Sequence, residues 1–384
     1  MATSDVLFAL LRSAICETEL TIEERSCCSQ DLLGDLLKLA KKHDVVHLAV
    51  LGLKKNGLLT AENGALETSL LQAVFRYERK HYEYTRLCQA LETLQISFLP
   101  LKGAVLRNFY PEPWMRTSCD VDILVRNADL EHAVSALHEK LGYAVKDRST
   151  HDVALDSPSG IHVELHYDLV EEGRANNAIK VLSTVWQDAT PRQGCQFFHE
   201  MSDAFFYFYH IAHMAEHFET GGCGIRPFVD LWILERMDSA DTQKRNELLE
   251  KGGLKQFADV CRKLSHVWFE KEQADPISWQ MQAFLLHGGA YGTVDNRVML
   301  QQKKQGGRLG YLWSRLFAPR EKLERYYPIL KKYRVLLPFM QVRRWFMLLQ
   351  PSVAGMAKKE LQVNTSVDAA RTEEMQLFLD NIGL

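Results

Sequence analysis

Residues 120–125 read Asp-Val-Asp-Ile-Leu-Val, and residues 161–169 read Ile-His-Val-Glu-Leu-His-Tyr-Asp-Leu. In a strand, successive side chains point to opposite faces. The first stretch therefore sets Asp120 and Asp122 on one face, with Val121, Ile123 and Val125 behind them. The second sets His162, Glu164, His166 and Asp168 on one face, with Ile161, Val163, Leu165, Tyr167 and Leu169 behind. Two carboxylates on one strand face repel, and burying either is costly without a partner. A divalent cation is the simplest compensation, and Mg²⁺ favours a few carboxylate oxygens together with water and phosphate oxygens. Paired side by side, the strands bring Glu164 to Asp120 and Asp122. Three carboxylates so placed hold one or two metal ions, seat a nucleoside triphosphate and activate a hydroxyl.

Upstream, residues 96–101 (Ile-Ser-Phe-Leu-Pro-Leu) form a short apolar run with strand character, followed by Lys102-Gly103 and a brief helix over 103–109. Glycine permits a tight turn and close backbone approach. The helix that follows offers free N–H groups to an anion, and Lys102 adds a point charge for a phosphate. No G-x-x-x-x-G-K-[ST] motif is present, so this is not a P-loop. Downstream, 128–141 reads as a helix, and 142–146 and 153–155 as further strands. These elements make an α/β block over 96–172.

The flanks are helical. In 1–95, Leu32, Leu33, Leu36, Leu37 and Leu39 mark one amphipathic segment, and residues 66–95 carry a longer one. Residues 173–350 return to helical spacing, and 351–384 reads as a looser tail ending in a short helix, 372–379. The expected class is α+β: a small mixed sheet between N-terminal and C-terminal helical regions.

The run 99–106 (Leu-Pro-Leu-Lys-Gly-Ala-Val-Leu), Tyr110-Pro111, Arg116, the 120–125 strand, Gly142-Tyr143 and Ile161 to His166 together resemble the uncharacterised nucleotidyltransferase family of the polymerase-β-like superfamily. The likeness is good over about 96–170 and continues more loosely through His213, His217, Arg226 and Asp230. The resemblance implies a mixed-sheet nucleotidyltransferase core, with Asp120, Asp122 and Glu164 as metal-binding catalytic carboxylates. It also implies transfer of a nucleoside monophosphate from an NTP to an acceptor, assisted by Mg²⁺ or Mn²⁺, with pyrophosphate leaving. Lys102, Gly103, Arg116, Arg226 and Asp230 are the candidate nucleotide-binding residues. His162, His166, His213 and His217 are candidates to orient the carboxylates or carry protons. The superfamily usually has Gly-Ser at the phosphate turn, where this chain has Lys102-Gly103-Ala104. That departure motivates the alternative of a non-catalytic nucleotide-binding or scaffold relative.

Residues 203–218 form an aromatic-rich helix with His210, His213 and His217 on one stripe. The H-E-x-x-H order of zinc hydrolases is absent, so the expected role is a helix packed on the sheet with histidines toward the cleft. Gly221, Gly222 and Gly224 end it. Arg226 and Asp230, at i and i+4, either pair with each other or line the cleft.

Composition narrows the class. The 384 residues carry 46 Lys+Arg against 49 Asp+Glu, a formal charge of −3, which argues against a general nucleic-acid coat protein. Twelve basic residues against two acidic ones fall between Lys303 and Arg344, interleaved with aromatics. The segment reads as a solvated basic face, a groove for an anionic partner or a membrane-surface helix. The eight cysteines are scattered without a C-x-x-C pair, so a disulfide framework is not expected and a reducing cytoplasm is. The first twenty residues have helical spacing and no basic n-region, and no apolar run reaches 18 residues, so neither a signal peptide nor a transmembrane span is expected.

Overall fold

The computed structural model describes residues 1–169, 177–237, 241–290, 292–320, 323–324, 327, 329–348, 351–366 and 369–384. The expected 172/173 boundary lies outside them, as do Glu321, Lys322, Arg325, Tyr326 and Pro328 of the basic segment.

Five strands form the central sheet: β1 (Phe98–Pro100), β2 (Asp120–Val125), β3 (Ala144–Arg148), β4 (Asp152–Asp156) and β5 (His162–His166). Their order is β1-β2-β5-β4-β3. β2 and β5 run parallel and the other neighbours antiparallel, so the sheet is mixed. One face is apolar. Val121, Ile123, Val125, Val153, Leu155, Val163 and Leu165 pack beneath Leu87 and Leu91 of helix Thr68–Thr93 and Leu130, Val134 and Leu137 of helix Leu130–Leu141. The other face carries the acids and imidazoles. At the open edge, β3 is fully exposed and has a register shift between Val145 and Asp147. Its Lys146 and Arg148, with that irregularity, discourage pairing with another chain.

The helical flanks share one core. Leu7, Phe8, Leu10 and Leu11 of helix Thr3–Cys16 belong to the same cluster as Phe205, Phe208 and Phe218 of helix Asp203–Thr220 and Phe257 and Trp268 of helix Lys255–Glu270. The Phe8 and Trp268 rings stack with centroids 4.2 Å apart. Gly52, in helix Val46–Lys55, permits a close crossing, because a Cβ there would lie 2.4 Å from the Leu10 carbonyl oxygen.

Three expectations need correction. The chain beyond 175 is not purely helical: Thr190–Pro191 and His199–Glu200 form a two-stranded ribbon, and Phe98 N–H donates to the Phe197 carbonyl beside it. Glu92 fastens this ribbon by accepting from the N–H groups of Gln196, Phe197 and Phe198. The stretch 351–384, read as a loose tail, contains helices Pro351–Ser366 and Ala369–Ile382. Phe378, Leu379 and Ile382 of the latter enter the shared core, a long-range gain that local spacing does not reveal. The brief helix after Lys102 is shorter than 103–109: Lys102–Leu106 is α-helical and Arg107–Phe109 continues as a 3₁₀ turn.

Candidate active site

The site grows from the register of β2 and β5. Parallel pairing sets Asp120 opposite His162 and Asp122 opposite Glu164. Registered partners share a face, so Glu164 stands beside Asp122 on the side away from the apolar core. Period two brings His166 onto that face as well. Its Nε2 lies 3.1 Å from Asp122 Oδ1 and 3.4 Å from Glu164 Oε2. Ligand atoms of Asp122, Glu164 and His166 all lie within 4.8 Å of one another. Asp120 sits one step along the strand on the same face, outside that group of three.

Lys102 enters from the turn after β1. Its backbone φ is +40°, a left-handed conformation that costs a non-glycine residue ~1–3 kcal/mol. The strain of the turn thus falls on the lysine and not on Gly103. Lys102 Nζ lies 3.3 Å from Asp122 Oδ1. Gly103 answers a different need: a Cβ there would come 3.2 Å from the Ser118 Cβ and 3.3 Å from the Arg116 guanidinium. Its small size lets the turn close onto the loop that leads into β2.

Burial alone would raise the Asp122 pKa, but the Lys102 charge and the His166 bond overturn it and hold the carboxylate well below its usual range. Asp120 moves the other way, raised first by burial and then by the Asp122 charge, with Lys102 opposing. Burial works against the Lys102 ammonium, yet Asp122 and its acidic neighbours leave the lysine's pKa raised. Burial likewise lowers His166, and its bonds to Asp122 and Glu164 raise it by more.

A cavity of about 300 Å³ opens against this cluster. Ligand clefts of this kind begin near that size. Lys102, His151, Glu164 and His166 line its sheet side. Tyr209, His213, Glu216 and His217 line it from helix Asp203–Thr220, and Ala178, Ile179 and Leu182 add an apolar wall from helix Asn177–Leu182. The His213 and His217 rings meet edge to face at 4.4 Å. Burial, then the Lys102 charge, pushes His217 down to about 4, and the same causes push His213 well below the ordinary histidine value. Both are neutral imidazoles at physiological pH. His210, on the same stripe, instead donates from Nε2 to the Pro227 carbonyl at 2.9 Å.

Asp120 and Asp122 are not among the residues that line the cavity, and the remaining candidates also stand apart from it. His162 contacts Asp156, with Nδ1 3.0 Å from Oδ1, and its Nε2 is 3.7 Å from Glu164. Arg116 and Asp230 are buried together: Arg116 Nε donates to Asp230 Oδ1 at 2.9 Å and its Nη2 to Oδ2 at 3.0 Å. The Tyr110 hydroxyl adds a bond to Asp230 at 2.6 Å. Arg226 does not pair with Asp230 as the i, i+4 spacing allowed, because Arg116 has claimed that carboxylate; it bonds Asp44 at 2.9 Å. Arg116 and Arg226 both donate to the Thr117 carbonyl, at 2.7 and 3.1 Å. Together they clamp the loop that delivers Asp120 and Asp122.

Sequence reasoning passed over three nearby groups. His151 lines the cavity and places Nε2 2.9 Å from Asp152 Oδ2, beside His166. Its approach depends on the β4–β5 register, which sets Asp152 opposite His166. Tyr209 was one of five consecutive aromatics, and only the helix orientation singles it out. Lys80, from helix Thr68–Thr93, lies 3.4 Å from the Ser118 hydroxyl. Burial, opposed by the Asp120 charge, brings Lys80 down to about 8.

A mixed five-stranded sheet with carboxylates on adjacent parallel strands, flanked by helices, is the α+β core of a nucleotidyltransferase. The chain matches the model of a family described as uncharacterised nucleotidyltransferase over residues 31–270, and it belongs to that family. No curated protein and no solved structure matches it. Among the described residues, no helix is long and apolar enough to cross a membrane.

Proposed function

We propose that this protein is a metal-dependent nucleotidyltransferase that moves a nucleoside monophosphate from an NTP to a hydroxyl or phosphate acceptor, releasing pyrophosphate. The observation that carries this reading is the convergence of Asp122, Glu164 and His166, of which Glu164 and His166 line a ligand-sized cavity and Asp122 lies buried behind them, with Asp120 on the same face. The donor set fits a divalent cation: two carboxylates and an imidazole, beside an Asp120 that burial and then the Asp122 charge raise. Asp122, Glu164 and His166 would hold it, with Asp120 close by. The imidazole tilts the preference from Mg²⁺ toward Mn²⁺ or a later metal. Bound there, the cation supplies charge neutralisation for the triphosphate and a lowered pKa for the acceptor.

The chain's own groups do the rest. Lys102 presents a positive charge to the phosphates. Tyr209, His213 and His217 bound the cavity opposite the acids. Glu164, facing that cavity, takes the acceptor's proton as the acceptor oxygen bonds to the α-phosphorus and the bond to the pyrophosphate oxygen breaks. Arg116, Arg226 and Asp230, first considered for nucleotide contact, hold the loop before β2. The setting is a reducing cytoplasm, consistent with eight free thiols. The basic segment 303–344 offers a separate seat for an anionic partner.

Calorimetry with a non-hydrolysable triphosphate and Mn²⁺ tests the reading. Binding should require the metal, and should be lost in Glu164→Gln and in Asp122→Asn with folding retained. Unchanged binding in the double variant removes the proposal.

A second reading, a non-catalytic nucleotide binder, is favoured by one feature: the Lys102 ammonium already neutralises Asp122, where the superfamily usually has Gly-Ser. Metal-dependent binding without pyrophosphate release across the four triphosphates and a broad acceptor panel would select it.

A further inference from the structure

Outside the family-matched stretch, two helices turn their apolar stripes to solvent. In helix Arg308–Leu316, Leu309, Trp313 and Leu316 recur at i, i+4 and i+7 and are 82%, 66% and 50% exposed, while Tyr311 faces inward. In and just before helix Leu337–Leu348, Val335, Phe339, Val342 and Phe346 follow the same period, with Val335 83% and Phe346 69% exposed. A surface helix ordinarily turns such a stripe to the core. The two stripes are joined. Trp313 contacts Phe317 at 4.3 Å, Phe317 meets Trp345 at 5.6 Å, and Trp345 Nε1 donates to the Leu316 carbonyl at 2.7 Å.

The charge around them is mostly positive. The segment from Lys303 to Arg344 carries ten net positive charges in a chain whose total is −3. Arg315 is held by Glu360, and Lys304 lies 3.2 Å from Glu219. Lys332, Arg334 and Arg343 are exposed beside the second stripe with no ion pair among the described residues. Arg343 sits on the same side as Phe339, at i and i+4.

We propose that this face docks on an anionic lipid surface, with both helices lying in the plane of the interface and their aromatic and aliphatic stripes inserted among the headgroups. Apolar stripes rimmed by Lys and Arg, on helices too short to span, are the makings of an interfacial anchor. Charge complementarity selects this occupant. A second copy docked twofold would set like charges against each other, and the aliphatic members Leu309, Val335 and Val342, interleaved with the rings of Trp313, Phe339 and Phe346, suit an acyl layer better than a run of stacked bases. Anionic lipid gives both the negative field and the apolar layer. The anchor is independent of the transfer site.

The test is co-sedimentation of the full chain with phosphatidylcholine vesicles, with and without phosphatidylserine, at low and moderate salt. A single-stranded RNA arm and light scattering run in parallel. Binding is expected only to the anionic vesicles and should weaken as salt screens the attraction. Arg334→Glu and Arg343→Glu should each lower partitioning about fivefold or more. The triple variant Val335→Ser, Phe339→Ser, Phe346→Ser should lower it about tenfold or more. All of these positions are exposed, so circular dichroism and metal-dependent triphosphate binding should not change. No anionic-vesicle binding at low salt overturns the proposal, as does vesicle binding that the triple variant retains. RNA binding or a dimer that these substitutions abolish, without vesicle binding, assigns the face to another occupant.

Discussion

Lys102 Nζ stands 3.3 Å from Asp122 Oδ1, so an ammonium fills one coordination position of the carboxylate at the centre of the acidic face. The contact is built from a left-handed backbone turn at Lys102 and a fully buried acid on β2. A lysine held in this way competes with any cation for the same oxygen.

Lys102→Gln should therefore tighten divalent-cation binding and weaken triphosphate binding in the same protein. Charged hydrogen bonds contribute roughly 1.5–3 kcal/mol, so the gain in Mn²⁺ affinity should be about tenfold or more. Titration of Mn²⁺ followed by paramagnetic resonance, then calorimetry with the triphosphate, separates the two effects. Weaker metal binding in Lys102→Gln would show that the lysine organises the carboxylates and does not compete with the ion.

The Arg116–Asp230 pair should behave as a buried structural bridge. Asp230→Ala leaves a buried guanidinium without its carboxylate and should cost about 3–5 kcal/mol in urea unfolding. The double variant Arg116→Met, Asp230→Leu should recover much of that loss, since a packed apolar pair replaces two buried charges. Losses that simply add would mean the two side chains act separately.

Acid should destabilise the protein well above the carboxylate range. Burial, with the Lys42 charge, pushes His43 down to about 4, while an unfolded histidine titrates near ~6.5. Between those values the unfolded chain binds a proton that the folded chain refuses. Stability should then fall as pH drops from about 6.5 to 4, by up to about 3 kcal/mol from His43. His47, His210, His213 and His217 are lowered too and add to the slope. Urea midpoints measured across this window should show a shallower dependence in His43→Phe. An unaltered slope would mean that residue 43 titrates normally.

Gly52→Ala should destabilise by about 1–3 kcal/mol, because the new methyl would meet the Leu10 backbone, which cannot rotate away. Gly34→Ala is the matched contrast. It lies in helix Gln30–Lys42 with nothing within 4 Å of the added Cβ, and should stabilise by about 0.5–1 kcal/mol. Paired denaturation curves check both, and a neutral Gly52→Ala would mean that the two helices can part.

The strands were legible because their period is unambiguous: Val121, Ile123 and Val125 against Asp120 and Asp122 admit one orientation. The β2–β5 pairing was a condition of the reading and not a deduction: Glu164 could join the acids only if the two strands lay side by side, and the register sets it opposite Asp122. What stayed hidden depended on contacts without a local signature. The i, i+4 spacing of Arg226 and Asp230 invited a pair, but Asp230 bonds Arg116, which enters from 114 residues away. Alternation set His166 on the face of the carboxylates as a group to orient them or carry protons, but its 3.1 Å approach to Asp122 Oδ1 depends on the β2–β5 register, which the sequence does not print. The 190–200 ribbon was missed because its strands are two residues each.

The ring stack between Phe8 and Trp268 also bears on how the chain is made. During synthesis the opening helix leaves the ribosome some 250 residues before the tryptophan it must cover. At about 5–20 residues per second that is a wait of roughly 13–50 s in which helix Val46–Lys55 can already cross Leu10 but the Phe8 ring has no stacking partner. A newborn chain of this protein thus carries its first helix half covered, and truncation before residue 268 should leave the Phe8 ring without its cover.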